Sequence, residues 1–329
     1  MVAIPTRVLI TGGGTTTAIS ALKGLRMGGD LSIHVILGDM SRECAGAHLG
    51  DEFVPLPSAD RPDFREQVVQ LCRFLRVDLV IPIIDHEFPG WSDVRSDLAA
   101  AGTHVAISSR AALEQCQEKD RTFQLFERLG VPTIPTWRGT EIADPEHLRY
   151  PVYLKPRCGR ASIDNYRADS AAEFRLLLPK VPDAIVQPFT EGAEVTIDCL
   201  SDLQGRFLAA SPRLRQQVKS GQAYRSKTFR DAALEGYAKT ICEALPIIGP
   251  CNIQCFLTHD GPRFFEINAR FGAGSALSMQ AGLNGPLALV AMARQQPLPP
   301  LVARPDVSML RFWQEVFVEA GKATIGGPA

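Results

Sequence analysis

The sequence has no excess of charge of either sign: 35 Lys and Arg residues stand against 36 Asp and Glu, for a formal net charge of −1 and a pI near 6.6. Without a basic field nothing holds nucleic acid or an anionic membrane surface, so small, neutral-to-acidic partners are expected. No apolar stretch approaches the roughly twenty residues that cross a bilayer. The opening MVAIPTRVLITGGG lacks a cationic segment leading into a long apolar run, so no secretory leader is expected and the chain reads as cytoplasmic. The 8 cysteines (44, 72, 116, 158, 199, 242, 251 and 255) are scattered, which suits free thiols in a reducing compartment. Only Cys251 and Cys255 are close, and the 6 dispersed histidines supply no obvious further metal ligands, so buried small hydrophobes are expected there. Also absent are a Gly/Ser-rich or Pro-rich linker, an internal repeat and a nucleophile-elbow sequence.

What is present is an ordinary globular composition, 45% hydrophobic and 22% charged, over a length that suggests about two domains. Arg7–Ile10 reads as a strand running into Gly12–Gly14 and a helix over Ala18–Met27. A strand at 31–39, a helix at 63–76, a strand at 78–85, a helix at 92–101 and a strand at 103–107 follow. Alternation of this kind implies a parallel sheet covered on both faces. One helix is predicted from Ser109 to Leu129, stopped by Gly130 and Pro132. From Tyr150 the segments become shorter and more β-like.

The chemistry concentrates in NIQCFLTHDGPRFFEINARFGAGSA (252–276), two alternating runs joined by a hairpin signal at Thr258–Gly261. Alternation puts Glu266, Asn268 and Arg270 on one face and Asn252, Gln254 and Phe256 on one face of the partner strand. A three-residue turn would set Gln254 opposite Glu266. A carboxylate, amides and a guanidinium on one patch suit a hard cation holding phosphates, whereas the plainer reading is a strand whose polar face meets water. In YPVYLKPRCGRAS (150–162) a strand delivers Lys155 and Arg157 to a turn at Gly159, as phosphates would need, although a surface Lys-Pro-Arg is commonplace. In AIVQPFTEGAEVTID (184–198) a strand crossing can present backbone groups to an adenine edge, and Glu194 can accept from ribose hydroxyls.

The order and spacing of these three segments, with the Glu-x-Asn-x-Arg run at 266–270, resemble the ATP-grasp superfamily, in particular the branch similar to the carbamoyl phosphate synthase large subunit. VLITGGG, IPIIDHE (81–87) and QEKDRTF (117–123) extend the likeness to nearly the whole chain. The resemblance implies an α/β protein with a Rossmann-like pre-ATP-grasp domain at 1–112, then a two-lobed ATP-grasp α+β fold, with a small lobe at 113–186 and a large lobe carrying the metal site at 187–329. It implies that Lys119 and Lys155 bind ATP phosphates, that Gln187, Pro188 and Phe189 form the adenine-side hinge, and that Glu194 holds ribose. By the same matching Gln254, Glu266 and Asn268 are Mg²⁺ ligands, with Mn²⁺ as a substitute, and Arg270 contacts the transferred phosphate. Arg213 and Arg215, on one face of the SPRLRQQVKSGQAYRSK strand, lie near the phosphates or a substrate carboxylate. One departure stands out: the loop CGRASID is poorer in glycine than the family's phosphate-covering loop, with Arg160, Ala161 and Asp164 where small residues are usual.

The implied activity is a carboxylate–amine ligase, in which ATP turns a carboxylate into an acyl phosphate that an amine captures as an amide. Such a site positions and neutralises charge and needs no Ser, Cys or His nucleophile. A lid over residues 150–190 would keep water from the mixed anhydride. Asp85 and Glu87 could receive the amine, and His86 could cap the following helix. A carboxyphosphate-forming enzyme acting on bicarbonate would share every ATP residue named. A nicotinamide or nucleotide-sugar enzyme is suggested by Gly12-x-Gly14 and Asp39, but Thr17 stands where the third glycine would fall. A catalytically dead nucleotide-binding regulator is the third rival. The tail at 305–329 would complete the sheet or join a homodimer contact.

Overall fold

The computed structural model describes residues 4–29, 31–159 and 163–319, together with the backbone of 322–325. The first layer is built from β1 (Thr6–Ile10), α1 (Thr16–Arg26), β2 (Ile33–Asp39), β3 (Glu52–Pro55), α2 (Phe64–Phe74), β4 (Leu79–Ile81), α3 (Phe88–Ala100) and β5 (His104–Val105). The strands form one parallel sheet in the order β3-β2-β1-β4-β5. Alternation along β1 explains its two covers. Leu9 turns to a cluster with Phe64, Val68 and Trp91 of α2 and α3, while Val8 and Ile10 turn to a cluster with Leu22 and Leu25 of α1. Both faces are therefore apolar, as the branched runs require. The strand at β3 is not anticipated by the pattern, because EFVP is too short to show a period.

The predicted long helix is two: α4 (Arg110–Gln117) and α5 (Lys119–Arg128), broken at Glu118, whose ψ of 105° is extended. Helical periodicity persists across the break, so the pattern alone does not reveal it. The break turns Lys119 and Asp120 into the first turn of a new helix, both buried.

A four-stranded sheet then carries β6 (Trp137–Arg138), β7 (Val152–Pro156), β8 (Tyr166–Ala168), helix α6 (Ala171–Leu177) and β9 (Ala184–Pro188), in the strand order β6-β9-β7-β8. Its small apolar core includes Val152, Leu154, Phe174 and Val186. The remaining chain gives β10 (Ala193–Ser201), β11 (Phe207–Lys219), β12 (Gln222–Thr228), α7 (Ala232–Ala244), β13 (Pro250–Thr258), β14 (Gly261–Asn268), α8 (Ser275–Ala281), α9 (Gly285–Ala293) and β15 (Ser308–Leu310). These strands make a six-stranded antiparallel sheet, β14-β13-β10-β11-β12-β15, so the tail does extend the sheet through β15. A separate hairpin of β16 (Val316–Glu319) and β17 (Lys322–Ile325) follows. One face of the large sheet packs on α7 through Val195, Ile197, Ile253 and Ile241, and Cys251 and Cys255 are buried in that core. Among the described residues no single helix is long and apolar enough to cross a membrane.

Candidate active site

The other face of the large sheet is polar, and its registers set the side chains in rows. Arg213, Thr196, Gln254 and Glu266 follow one another across β11, β10, β13 and β14. A second row runs from Asp198 through Asn252 to Asn268. Gln254 does face Glu266, but not through a three-residue turn. The turn holds only His259 and Asp260, because Thr258 pairs with Gly261, and the register is corrected by a bulge between Gln254 and Cys255 that leaves Phe265 as the extra residue.

These rows floor a cleft of about 1430 Å³, walled by the four-stranded sheet on one side and by the ends of β1 and β4 on the other. Its size exceeds the roughly 300–1,000 Å³ of a single small-molecule pocket, so it has room for more than one ligand. In the parallel sheet the strand order reverses between β1 and β4, and ligands of open α/β sheets bind at that crevice. Here the crevice opens into the same cleft through Gly14–Thr17 and Ile83–His86.

The floor side chains are linked to one another by ion pairs and hydrogen bonds. Glu194 pairs with Arg215 at 2.8 Å. With its amide oriented to suit both neighbours, Gln254 donates to Glu266 Oε2 at 3.1 Å and accepts from Arg215 Nη1 at 3.0 Å. Asn268 Nδ2 donates to Asn252 Oδ1 at 3.2 Å and Glu266 Oε1 at 3.4 Å. Burial pushes the Glu194 carboxyl up and the Arg215 guanidinium down, each opposed by the other's charge. Two buried atoms on this floor, Arg215 Nε and Thr196 Oγ1, have no partner. Uncompensated buried donors of this kind are expensive. Thr196 is the functional candidate that sequence reading misses, since a lone threonine in VTID carries no signal beyond its place between Glu194 and Asp198.

Lys155 is next to last in β7 and is buried, with Nζ 5.3 Å from the centre of the Phe265 ring. Burial lowers its ammonium to about 8, against the attraction of Glu266 and with the help of Lys119. Lys119 Nζ donates to the carbonyls of Gly159 at 3.3 Å and Arg157 at 3.4 Å. Both lysines line the cleft. Arg157 does not: its guanidinium is held by Glu118 at 2.6 Å and by Asp183, in an ion cluster beside the α4–α5 break. Two residues apart on an alternating strand, Lys155 and Arg157 were expected to reach the same turn, but Arg157 lies one residue past β7, where the pleat has ended.

Of the hinge residues, Gln187 is buried and donates to Thr136 Oγ1 at 2.8 Å, so its side chain is structural and its backbone is what can read a base. Pro188 and Phe189 line the cleft, and the Phe189 N–H is already given to Pro151 O at 3.0 Å. Arg160 and Ala161 lie outside the described residues, and Asp164 takes a left-handed φ of 56°.

Arg213 is buried and fixed by Asp198 through Nε at 2.8 Å and Nη2 at 3.3 Å. Asp198 also accepts from Ser275 Oγ at 3.0 Å and Ser278 Oγ at 2.6 Å. Gly274 is required beside this pair, because a Cβ there would stand 2.6 Å from Arg213 Nη1. Arg270 is held by Asp85, its Nε 3.0 Å from both carboxylate oxygens. Of the two acids proposed to receive an amine, only Asp85 faces the cleft. Glu87 is buried against Thr11, Trp91 and the Ile84 N–H, and burial raises its carboxyl. His86 caps nothing: it pairs with Asp60 at 2.8 Å on the surface. Asp39 accepts from the Gly14 N–H at 2.8 Å.

A Mg²⁺ site would fit this donor set in one form only. Among the described residues no cluster of three His, Cys, Asp or Glu side chains could hold a metal. One carboxylate and an amide, Glu266 and Asn268, are what a Mg²⁺ ion needs when phosphates and water complete its shell. With its amide so oriented the Gln254 oxygen faces Arg215, as the Asn268 oxygen faces Arg270 Nη2 at 3.3 Å, so either amide turns to meet a shared ion.

Two family models match separate parts of the chain. Residues 180–312 match the family described as "ATP-grasp in the biosynthetic pathway with Ter operon", and residues 8–106 match the PylC-like N-terminal domain. The chain thus carries an ATP-grasp domain behind a PylC-like N-terminal domain. It is 24% identical over 232 residues to D-alanine–D-alanine ligase of Corynebacterium jeikeium, an alignment covering 60% of this chain and 61% of that relative, so it spans less than two thirds of the relative's length. The L-amino acid ligase of Bacillus licheniformis is similar in fold, with a TM-score of 0.69 at 19% identity over 96% of this chain and 83% of that one. So is the biotin carboxylase domain of 2-oxoglutarate carboxylase from Hydrogenobacter thermophilus, in complex with MgADP, ADP and bicarbonate, with a TM-score of 0.69 at 14% identity over 90% of this chain and 71% of that one.

Proposed function

We propose that the chain is an ATP-dependent carboxylate–amine ligase that phosphorylates a carboxylate to an acyl phosphate, joins it to an amine as an amide, and releases ADP and phosphate. The observation that carries the reading is the row Arg213–Thr196–Gln254–Glu266, which sits in one cleft with Lys119, Lys155, Asn268 and Arg270. The row supplies cations and hydrogen-bond donors for phosphoryl oxygens and a single carboxylate for a divalent ion, with no activated nucleophile among them.

The 187–189 crossing holds adenine and Glu194 holds ribose. Lys119 and Lys155 neutralise the phosphates, and Arg270 meets the phosphoryl group in flight. Mg²⁺, held by Glu266 and Asn268, draws charge from the phosphate oxygens when bound. Arg213, locked by Asp198, offers Nη1 to the substrate carboxylate. The domains follow as 1–112, 113–186 and 187–329, with the four-stranded sheet as the flap that excludes water from the mixed anhydride. Arg157 is assigned no contact, because its charge is spent on Glu118 and Asp183.

The fold shared with a bicarbonate-bearing carboxylase domain favours a second reading, in which bicarbonate takes the place of the carboxylate. A pooled screen of carboxylates and amines, with and without bicarbonate, tests both. ADP formed only with a carboxylate and an amine supports the ligase; ADP formed only with bicarbonate supports the second reading. AMP release contradicts both.

A further inference from the structure

We propose that Asp85 is the receptor for the amine substrate in its ammonium form, and that Arg270 occupies Asp85 only until that amine arrives. The inference rests on the ligase reading and names a substrate class for it: an amine that binds as its ammonium and gives that proton to the Asp85 carboxylate, since only the neutral amine has the lone pair that attacks the acyl phosphate.

Arg270 has three of its five N–H groups engaged in this structure. Its Nε is shared by the two Asp85 oxygens at 3.0 Å, Nη1 donates to Phe271 O at 3.1 Å, and Nη2 donates to Asn268 Oδ1 at 3.3 Å. To turn its Nε edge to a phosphoryl group it must give up Asp85. The bonds to Phe271 and Asn268 are local, within two residues, and hold the guanidinium over the floor. The bond to Asp85 reaches across 185 positions of sequence to the switch-point crevice. That pair is also the wetter one, with side chains 21% and 32% exposed, where an ion pair is worth little and is readily exchanged.

The Asp85 carboxylate in turn has Arg270 as its only hydrogen-bonding partner among the described residues, while Gln117 Nε2 donates to its backbone carbonyl at 3.2 Å. With Glu87 sealed in the core, Asp85 is the one carboxylate that the crevice presents to the cleft. A carboxylate matched to a guanidinium also fits an ammonium. When an ammonium takes Asp85, Arg270 is released toward the terminal phosphate, so the two ligands assist each other through one exchanged contact. A neutral nucleophile, or bicarbonate, would leave the pair closed.

Dissociation constants for AMP-PNP and ADP, each with Mg²⁺, test this by calorimetry, with ethylammonium chloride as the amine probe and sodium chloride at equal ionic strength as control. In Asp85→Asn, AMP-PNP binds about tenfold tighter than in wild type, within the usual range of coupling between two sites. ADP, which lacks the terminal phosphate, binds as before and reports an intact fold. Ethylammonium tightens AMP-PNP in wild type and has no effect in Asp85→Asn. In an Arg270→Ala background the Asp85 substitution changes nothing. An unchanged ratio of AMP-PNP to ADP affinity in Asp85→Asn overturns the proposal and leaves Asp85 a structural pin, and so does an ethylammonium effect that survives the substitution. Wild type that binds neither nucleotide fails at the ligase reading, before the exchange is reached.

Discussion

Glu266 stands opposite Gln254 because Phe265 is one residue more than its strand can pair. With a two-residue turn and no bulge, Phe265 would face Gln254 and the Glu266 carboxylate would point into the apolar side of the sheet. The extra residue is used rather than merely tolerated: its ring stacks on Phe256 with centroids 4.8 Å apart and lies beneath Lys155 Nζ.

Phe265→Ala should therefore weaken nucleotide binding without unfolding the hairpin. Losing a desolvated cation–π contact costs about 1–2 kcal/mol, or roughly a five- to thirtyfold rise in Kd for ATP. Equilibrium binding to the purified variant measures it, with circular dichroism to confirm the fold. An unchanged Kd would mean that the ring only fills space.

Lys155 makes the binding of ATP pH-dependent. Burial holds its folded pKa at about 8, below the ordinary 10.5, so as pH rises through 8 the free protein loses the ammonium that the phosphates need. Bound phosphate restores the charge, and at pH 8 nucleotide binding should take up about half a proton. Calorimetry in buffers of different ionisation enthalpy reads that number directly. Uptake should vanish in Lys155→Met, and affinity in wild type should fall from pH 7 to pH 9. No uptake in wild type would show that Lys155 stays neutral or stays charged throughout.

The parts of this site that were legible in sequence are those carried by period. Glu266, Asn268 and Arg270 alternate, as do Arg213 and Arg215, and the parallel sheet announces itself by branched runs between helical segments. What the period does not reveal is where it is interrupted. The break at Glu118, the bulge at Phe265 and the end of the pleat before Arg157 each change which way a side chain faces, and the first and last lie beside an ion pair, Glu118–Arg157, between residues far apart in sequence. Asp198 is the extreme case, since its partners Arg213, Ser275 and Ser278 lie up to 80 residues away.

Glu194 should set the preference for ribose. Its carboxylate is held by Arg215 at the hinge end of the floor. In Glu194→Gln the preference for ATP over 2′-deoxy-ATP should fall by about tenfold, as expected when a hydrogen bond to a charged group is lost. Competition between the two nucleotides for one site measures the ratio. A preference that survives intact would place the ribose elsewhere.

Asp198 separates the stability of the floor from its chemistry. It is the sole carboxylate paired with buried Arg213 among the described residues, and Asp198→Ala leaves that charge stranded. Breaking a buried pair in this way costs about 3–5 kcal/mol, which a shift of the urea midpoint reports. Replacing both partners by apolar residues of similar volume, Asp198→Leu with Arg213→Met, strands no charge and should recover most of that loss. Turnover should not recover with it, because Arg213 Nη1 is then missing from the cleft. Recovery of activity together with stability would show that Arg213 only holds the sheet to α8, and would remove it from the substrate's carboxylate.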